Sequence, residues 1–406
     1  MSATALKSEP VKVFDYFKYL LSPMILGAHA YGLWLGGNYA WLGLAMLLGV
    51  LFFDAFLPRD YSMRDQNYVR IYDVICAVTV LCSFANIFFY SWLVGQDHFV
   101  GSSAELGAFL STLFIGFVVG APPVHELFHR EEFVLRWLGR IGQCLVFDTW
   151  REITHVVTHH MRVATPDDPD YARRGDTVYG HIARTFPAQW KEAYHLEKMM
   201  WTKRGRKWYD PRNAWVWKAA TLITFTAILA ALGGFKGALL AILSLLLGPR
   251  MLLEVFNYVN HYGLISATPG RFQKHHTWNH ITPMVRILAL EITNHAGHHD
   301  DSYKPFYKLE PDPNGPVQPQ FLLVVILALV PPLFFMMIKP LLKHWDQHYA
   351  TPQEREIARR ENERAGWHEL NTPDPARDLP KGIWDMRGKL TERQRASVSS
   401  ATLGAA

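Results

Sequence analysis

The chain has 406 residues, of which 50% are hydrophobic and only 19% charged, with a formal net charge of +5. That charge content lies below the roughly 25% of a soluble domain, and uncharged runs near the ~20 residues that cross a bilayer point to a membrane protein rather than to several soluble domains. Three scattered cysteines, Cys76, Cys82 and Cys144, exclude a disulfide framework and an iron–sulfur cluster held by this chain alone.

Six apolar runs read as transmembrane helices: Tyr19–Leu35, Trp41–Leu57, Ile71–Val94, Leu106–Gly120, Ala214–Gly233 and Ala238–Phe256. They fall into three close pairs. The connections within the pairs, Gly36–Ala40, Gly95–Glu105 and Gly234–Gly237, carry one Lys or Arg between them, Lys236. The connections between pairs are basic: Pro58–Arg70 carries Arg59, Arg64 and Arg70, and His129–Asn213 carries Arg173, Arg174, Lys203, Arg204, Arg206 and Lys207. Basic loops stay on the cytoplasmic side, so both termini and the basic connections are expected there. Lys18 and Ala28-His29-Ala30 also permit a cleavable signal peptide, but Pro23 breaks the apolar run, which continues past Ala30.

A seventh run, Phe321–Ile338, is long enough to span but contains Pro331-Pro332 and precedes a highly charged tail. Proline resists helix interiors, and crossing would put the tail outside, so a segment against the cytoplasmic membrane face is expected. Thr351, Pro352 and Glu354 mark the start of a solvated helix over Thr351–Ala365. The expected organisation is one all-α membrane domain over residues 1–395, a six-helix bundle with a cytoplasmic helical cap, followed by a disordered tail at 396–406.

The expected cytoplasmic side carries four histidine motifs. HELFHR holds His125 and His129, THVVTHH holds His155, His159 and His160, NYVNHYG holds His261, and NHAGHH holds His295, His298 and His299. Spacings of three and four residues put imidazoles on a common helical face. A lone histidine such as His29, His98, His181 or His195 is usually structural or solvated, and His261 alone would be read the same way. Eight histidines in three such sets are not explained by packing, because buried imidazoles need partners and repel when protonated. Metal coordination explains them. Nine neutral nitrogens exceed what one tetrahedral zinc takes and suit two ions, although imidazole alone does not select iron over zinc, copper or nickel. HELFH also fits the zincin pattern, with Glu126 as base, but that leaves seven histidines idle.

HELFHR, THVVTHH, NYVNHYGL and ITNHAGHH resemble the motif set of the membrane-bound alkane hydroxylase and xylene monooxygenase family, within the fatty acid desaturase-like superfamily. The resemblance runs from Trp34 to Trp367 and includes VATPDDPDYARRGDTVYG and HHTWNH. WDQHYATPQERE is similar to the xylene monooxygenase branch in particular. It implies two iron ions held by His125, His129, His155, His159, His160, His261, His295, His298 and His299. It further implies dioxygen as co-substrate and hydroxylation of an unactivated methyl group. Electrons would come from NAD(P)H through an iron–sulfur flavoprotein reductase, or through rubredoxin and a reductase; this agrees with the absence of a glycine-rich nucleotide loop here. Asn260 stands where the alkane branch usually has Glu, and Thr154, Thr158 and Thr293-Asn294 also depart from that branch. The departures favour an aromatic methyl substrate of the toluene, xylene or cymene type over a linear alkane.

Metal-bound histidines usually donate their other N–H to a carboxylate or carbonyl. Glu126, Glu254, Glu291, Asp300 and Asp301 flank the motifs and are candidates for that role, as are Asn260, His275, His276 and His280. A methyl C–H bond has no acidic proton, so no catalytic acid or base is expected beyond the metal ligands. Phe52, Phe53, Phe84, Phe88, Phe89 and Trp92 are candidates to line a path from the bilayer, although packing explains each separately. Competing readings are a terminal alkane monooxygenase, a lipid desaturase or hydroxylase, and a metal-binding transporter. A transporter would place its ligands within the spans. No nucleic-acid partner is expected.

Overall fold

A computed structural model describes residues 12–372; the tail expected at 396–406 lies outside the described residues. The described chain is helical, with an isolated Asn279–Val317 bridge as its β-type pairing. The elements that matter are α1 (Leu21–Leu35), α2 (Leu42–Asp54), α3 (Arg70–Gly95), α4 (Ser102–Phe128), α5 (Val178–Lys203), α6 (Ala214–His261), α7 (His295–Asp300), α8 (Phe321–Ala328), α9 (Pro331–His348) and α10 (Pro352–Arg364).

Four stretches are long and apolar enough to cross a membrane: Gly37–Asp54, Arg70–Gly95, Ser102–Phe128 and Ala214–His261. The last holds 48 residues. At 1.5 Å per residue it would run about 72 Å, more than twice the ~30 Å hydrocarbon core. It is broken by Gly234, whose φ of 61° lies in the left-handed region that glycine alone enters without strain. The sequence expects two spans meeting at this point. Close to it, α3 packs along α6 so tightly that a Cβ at Gly233 or Gly237 would collide with the Ser91 carbonyl.

α1 packs on α2 and α3, and α2 on α4. Inside this apolar bundle His29 is satisfied by Asn86 and Thr112. The run Phe321–Ile338 is not one helix. α8 ends at Ala328, and Pro331 opens α9, where its missing N–H costs nothing. α8 and α9 join Tyr258, Tyr262 and Trp278 in a core of their own. Thr351 and Glu354 form the expected capping box of α10. Arg174, fully buried, ties that helix to the body through Asp346 (2.6 Å) and Asn362 (2.7 Å).

Two wide turns, Gly116–Gly120 in α4 and Leu246–Arg250 in α6, precede histidine motifs, and a third covers His155–His159 itself. Each inserts one extra residue per turn, a device that re-aims the side chains beyond it.

Candidate metal centre

The C-terminal ends of α4 and α6 converge with the helical turn at 151–162 and with α7. Nine histidines meet there. One set, His125, His129, His155 and His298, brings one ring nitrogen from each residue within 4.8 Å of the others. A second set, His159, His261, His295 and His299, does the same. His160 lies between them, its ring 4.7 Å from that of His298 and 4.5 Å from that of His299.

The division does not follow the motifs. His155 and His159 stack at 5.1 Å, as four-residue spacing predicts, and converge together with Asp170, yet each completes a different four-histidine set. The wide turn supplies the reason. With five residues to the turn, His155 meets His160, their Nε2 atoms 3.3 Å apart, and His159 is released to the other set. α7 splits likewise: His295 and His299 serve one set and His298 the other. Two motifs therefore fix the spacing of two centres.

These imidazoles are buried, or nearly so for His125 and His160. Burial and the neighbouring rings hold His129, His155, His160, His295, His298 and His299 well below their ordinary pKa, so they are neutral with lone pairs free. Nε2 atoms face one another at 2.8 Å in the pairs His125–His155 and His261–His295. Nε2 of His159 and Nε2 of His298 have no hydrogen-bond partner although buried. Convergent, neutral, unpartnered nitrogens cost free energy unless a cation satisfies them. The donor set fits first-row divalent metals.

The outer contacts differ from those expected. His159 Nδ1 bonds to Asp168 at 2.8 Å, and Asp170 lies 3.7 Å away. Burial disfavours the charged form of His159, but Asp168 more than offsets this and raises its pKa. Both carboxylates lie in the loop VATPDDPDY, eight and ten residues beyond the motif. Their nearness to the motif, and their place in the block VATPDDPDYARRGDTVYG that shares the family resemblance, are the signals that could have flagged them. His295 Nδ1 donates to the Ile292 carbonyl at 3.1 Å. Asp170 in turn accepts from Arg151 (2.8 Å) and Gln189 (2.5 Å), and Arg151 joins Arg250 on Glu254.

Most carboxylates beside the motifs bind arginine instead of imidazole. Glu126 pairs with Arg130 (3.2 Å), which also holds Asp73 and Glu132. Glu291, with a positive φ of 61°, takes Tyr19, Arg64 and Arg286. Asp300 and Asp301 are exposed, and Asp301 accepts from the Tyr303 amide. The Asn260 side chain is buried without a partner. His275 (3.1 Å) and His276 (2.6 Å) clasp Glu354 of α10. His276 Nδ1 accepts from the Gln273 amide, which leaves its proton on Nε2 for Glu354. His280 Nδ1 donates to the Pro319 carbonyl.

Two adjoining apolar cavities reach the first set. They share Ala121, His125, Leu253, Phe256 and Ile292; one continues to His155 and His295, the other to Phe117, Val118 and Phe321. The aromatic residues expected on a path lie elsewhere. Phe84 and Phe88 pack on Phe225, Phe89 on Trp34 and Trp92, and Phe52 and Phe53 are outward and exposed.

Asp168→Asn tests the most direct outer contact. The amide keeps the shape but loses the charge that orients His159. Metal affinity is expected to fall about 10–100-fold, read by metal retention on dialysis.

Residues 104–311 match the family model described as fatty acid desaturase. The chain is 32% identical over 355 residues to the xylene/toluene monooxygenase hydroxylase component of Pseudomonas putida, covering 87% of this chain and 96% of that protein. It is 28% identical to an alkane 1-monooxygenase of Ectopseudomonas oleovorans (82% of this chain, 87% of that one). It is 27% identical to an alkane 1-monooxygenase of Pseudomonas putida (84% and 89%).

Proposed function

Since the chain belongs to the fatty acid desaturase family, in its alkane hydroxylase and xylene monooxygenase branch, we propose that it is a membrane-bound diiron monooxygenase that hydroxylates the methyl group of a hydrophobic hydrocarbon. The observation that carries this reading is the pair of four-histidine sets beside two mostly apolar cavities.

The eight histidines of the two sets would hold two iron ions, with His160 available to either. Bound iron supplies the activation of dioxygen and the oxidising power that a methyl C–H bond demands. The protein's own residues do the rest. Ala121, Leu253, Phe256 and Ile292 bind a hydrocarbon by removing its surface from water. The same apolar walls hold water off, and His125, which lines both cavities, sets where the bound methyl group meets the first set. Asp168 keeps a proton on His159 Nδ1, so that Nε2 faces inward as a donor.

Six membrane passes, with α6 crossing twice about Gly234, would leave the histidines on the side of the basic loops. That side is the cytoplasm of a bacterial inner membrane, where a soluble NAD(P)H-dependent reductase reaches them.

An aromatic methyl is the preferred substrate, supported by the higher identity to the xylene/toluene enzyme and by Asn260. Asn260 lines neither cavity, so any influence on selectivity runs through its neighbour His261. In cells co-expressing a reductase and offered toluene, xylene, p-cymene and octane together, the methylarenes are expected to be converted first. Preferential conversion of octane would move the substrate to alkanes.

A further inference from the structure

The histidines of the centre are buried or nearly so, and a half-buried ring of a surface loop lies against one of them. The loop from Ser266 to His276 lies over the chain that follows the second histidine motif. Two backbone hydrogen bonds fasten it there: Ser266 N–H to the Ala164 carbonyl (2.8 Å) and Gly270 N–H to the Met161 carbonyl (2.7 Å). The loop lays the half-buried Phe272 ring on His299, centroids 5.4 Å apart and planes 29° from parallel. His299 in turn lies against His160, between the two sets.

The surroundings of Phe272 have a definite chemistry. Met161 is 60% exposed beside the loop. Arg271 and Lys274 flank Phe272, are exposed, and make no ion pair among the described residues. From Ser266 to His276 there is no acidic residue; Asp300 and Asp301, exposed at the end of α7, bound the face. A small apolar centre flanked by two exposed cations suits a brief encounter with an acidic protein. Such charges steer association more than they hold the complex.

We propose that Phe272 is the point of electron entry, and that Arg271 and Lys274 seat an acidic iron–sulfur electron-transfer protein over it. The proposal rests on the diiron monooxygenase reading. Each transfer oxidises the partner's reduced iron–sulfur centre by one electron and reduces one ferric ion to ferrous. No bond is made or broken, and NAD(P)H restores the partner through its reductase. The stacked ring gives the path from the surface to His299 through van der Waals contact, without a gap of solvent. Phe272 is a positioning residue here, since it acts through His299.

The test uses the full-length, iron-loaded protein in lipid nanodiscs, with a plant-type [2Fe–2S] ferredoxin as probe. Ferredoxin binding is measured against salt, on metal-loaded and metal-free protein. Reduction of the ferric centre is followed by stopped flow, driven either by reduced ferredoxin or by dithionite. The double variant R271E/K274E is expected to weaken ferredoxin binding about tenfold or more and to flatten its salt dependence. F272L is expected to slow reduction at saturating ferredoxin severalfold, with the dithionite rate and iron content kept, and F272W to restore it. Charge-independent ferredoxin binding overturns the docking face. Equal slowing of both reductants in F272L, or loss of iron, makes Phe272 a packing residue and overturns its role in transfer. A protein that binds no iron overturns the monooxygenase reading, while the binding arm still reports on the docking face.

Discussion

Replacement of His298 by Ala is expected to abolish hydroxylation while the protein still inserts into the membrane and retains its helix content. His298 is the member of α7 that reaches across to His125, His129 and His155, its Nε2 buried and unpartnered. Its loss leaves three nitrogens where four converge. Losing an outer hydrogen-bond partner costs about 10–100-fold in metal affinity or activity, and losing a ligand should exceed that range. Because His298 converges with one four-histidine set only, iron is expected to fall by one ion per chain rather than two. Iron analysis together with product formation checks both halves. Turnover preserved in this variant would remove His298 from the ligand set.

Glu254→Ala is expected to do comparable damage by another route. Glu254 is fully buried and accepts from Arg151, Arg250, Gln189 and Asn257. Arg151 bridges it to Asp170, beside His159, while Arg250 also meets Asp148. Removing one partner of such a network strands charge in the interior, at a cost of about 3–5 kcal/mol. The variant should melt well below the parent in detergent and lose iron from the His159 set first. Normal melting would mean that Asp148 and Asp170 suffice to neutralise the two guanidinium groups.

The contrast between these residues shows what the sequence can reveal. The histidines were legible because their spacing is chemically unusual. The long apolar helices over Gly37–Asp54, Arg70–Gly95, Ser102–Phe128 and Ala214–His261 were legible from hydropathy; the break in Phe321–Ile338 followed from Pro331-Pro332. The partition of the histidines was not legible. Spacing assumes ordinary helix geometry, and the wide turn at His155–His159 changes it without leaving a sequence mark. The contacts of the carboxylates were not legible for a related reason. Glu126, Glu291 and Asp301 adjoin the motifs in sequence, yet arginines or solvent claim them. Asp168 reaches His159 from a loop, and that contact depends on tertiary folding alone. Phe256 and Phe117 line the cavities where outward-facing Phe52 and Phe53 do not, because hydropathy cannot tell a cavity wall from a lipid-facing surface.

The central claim is that the two four-histidine sets hold two iron ions. Metal analysis of protein purified from membranes of iron-supplied cells, by mass spectrometry against chain concentration, tests it most directly. Close to two irons per chain is the predicted result. One zinc and no iron would contradict it.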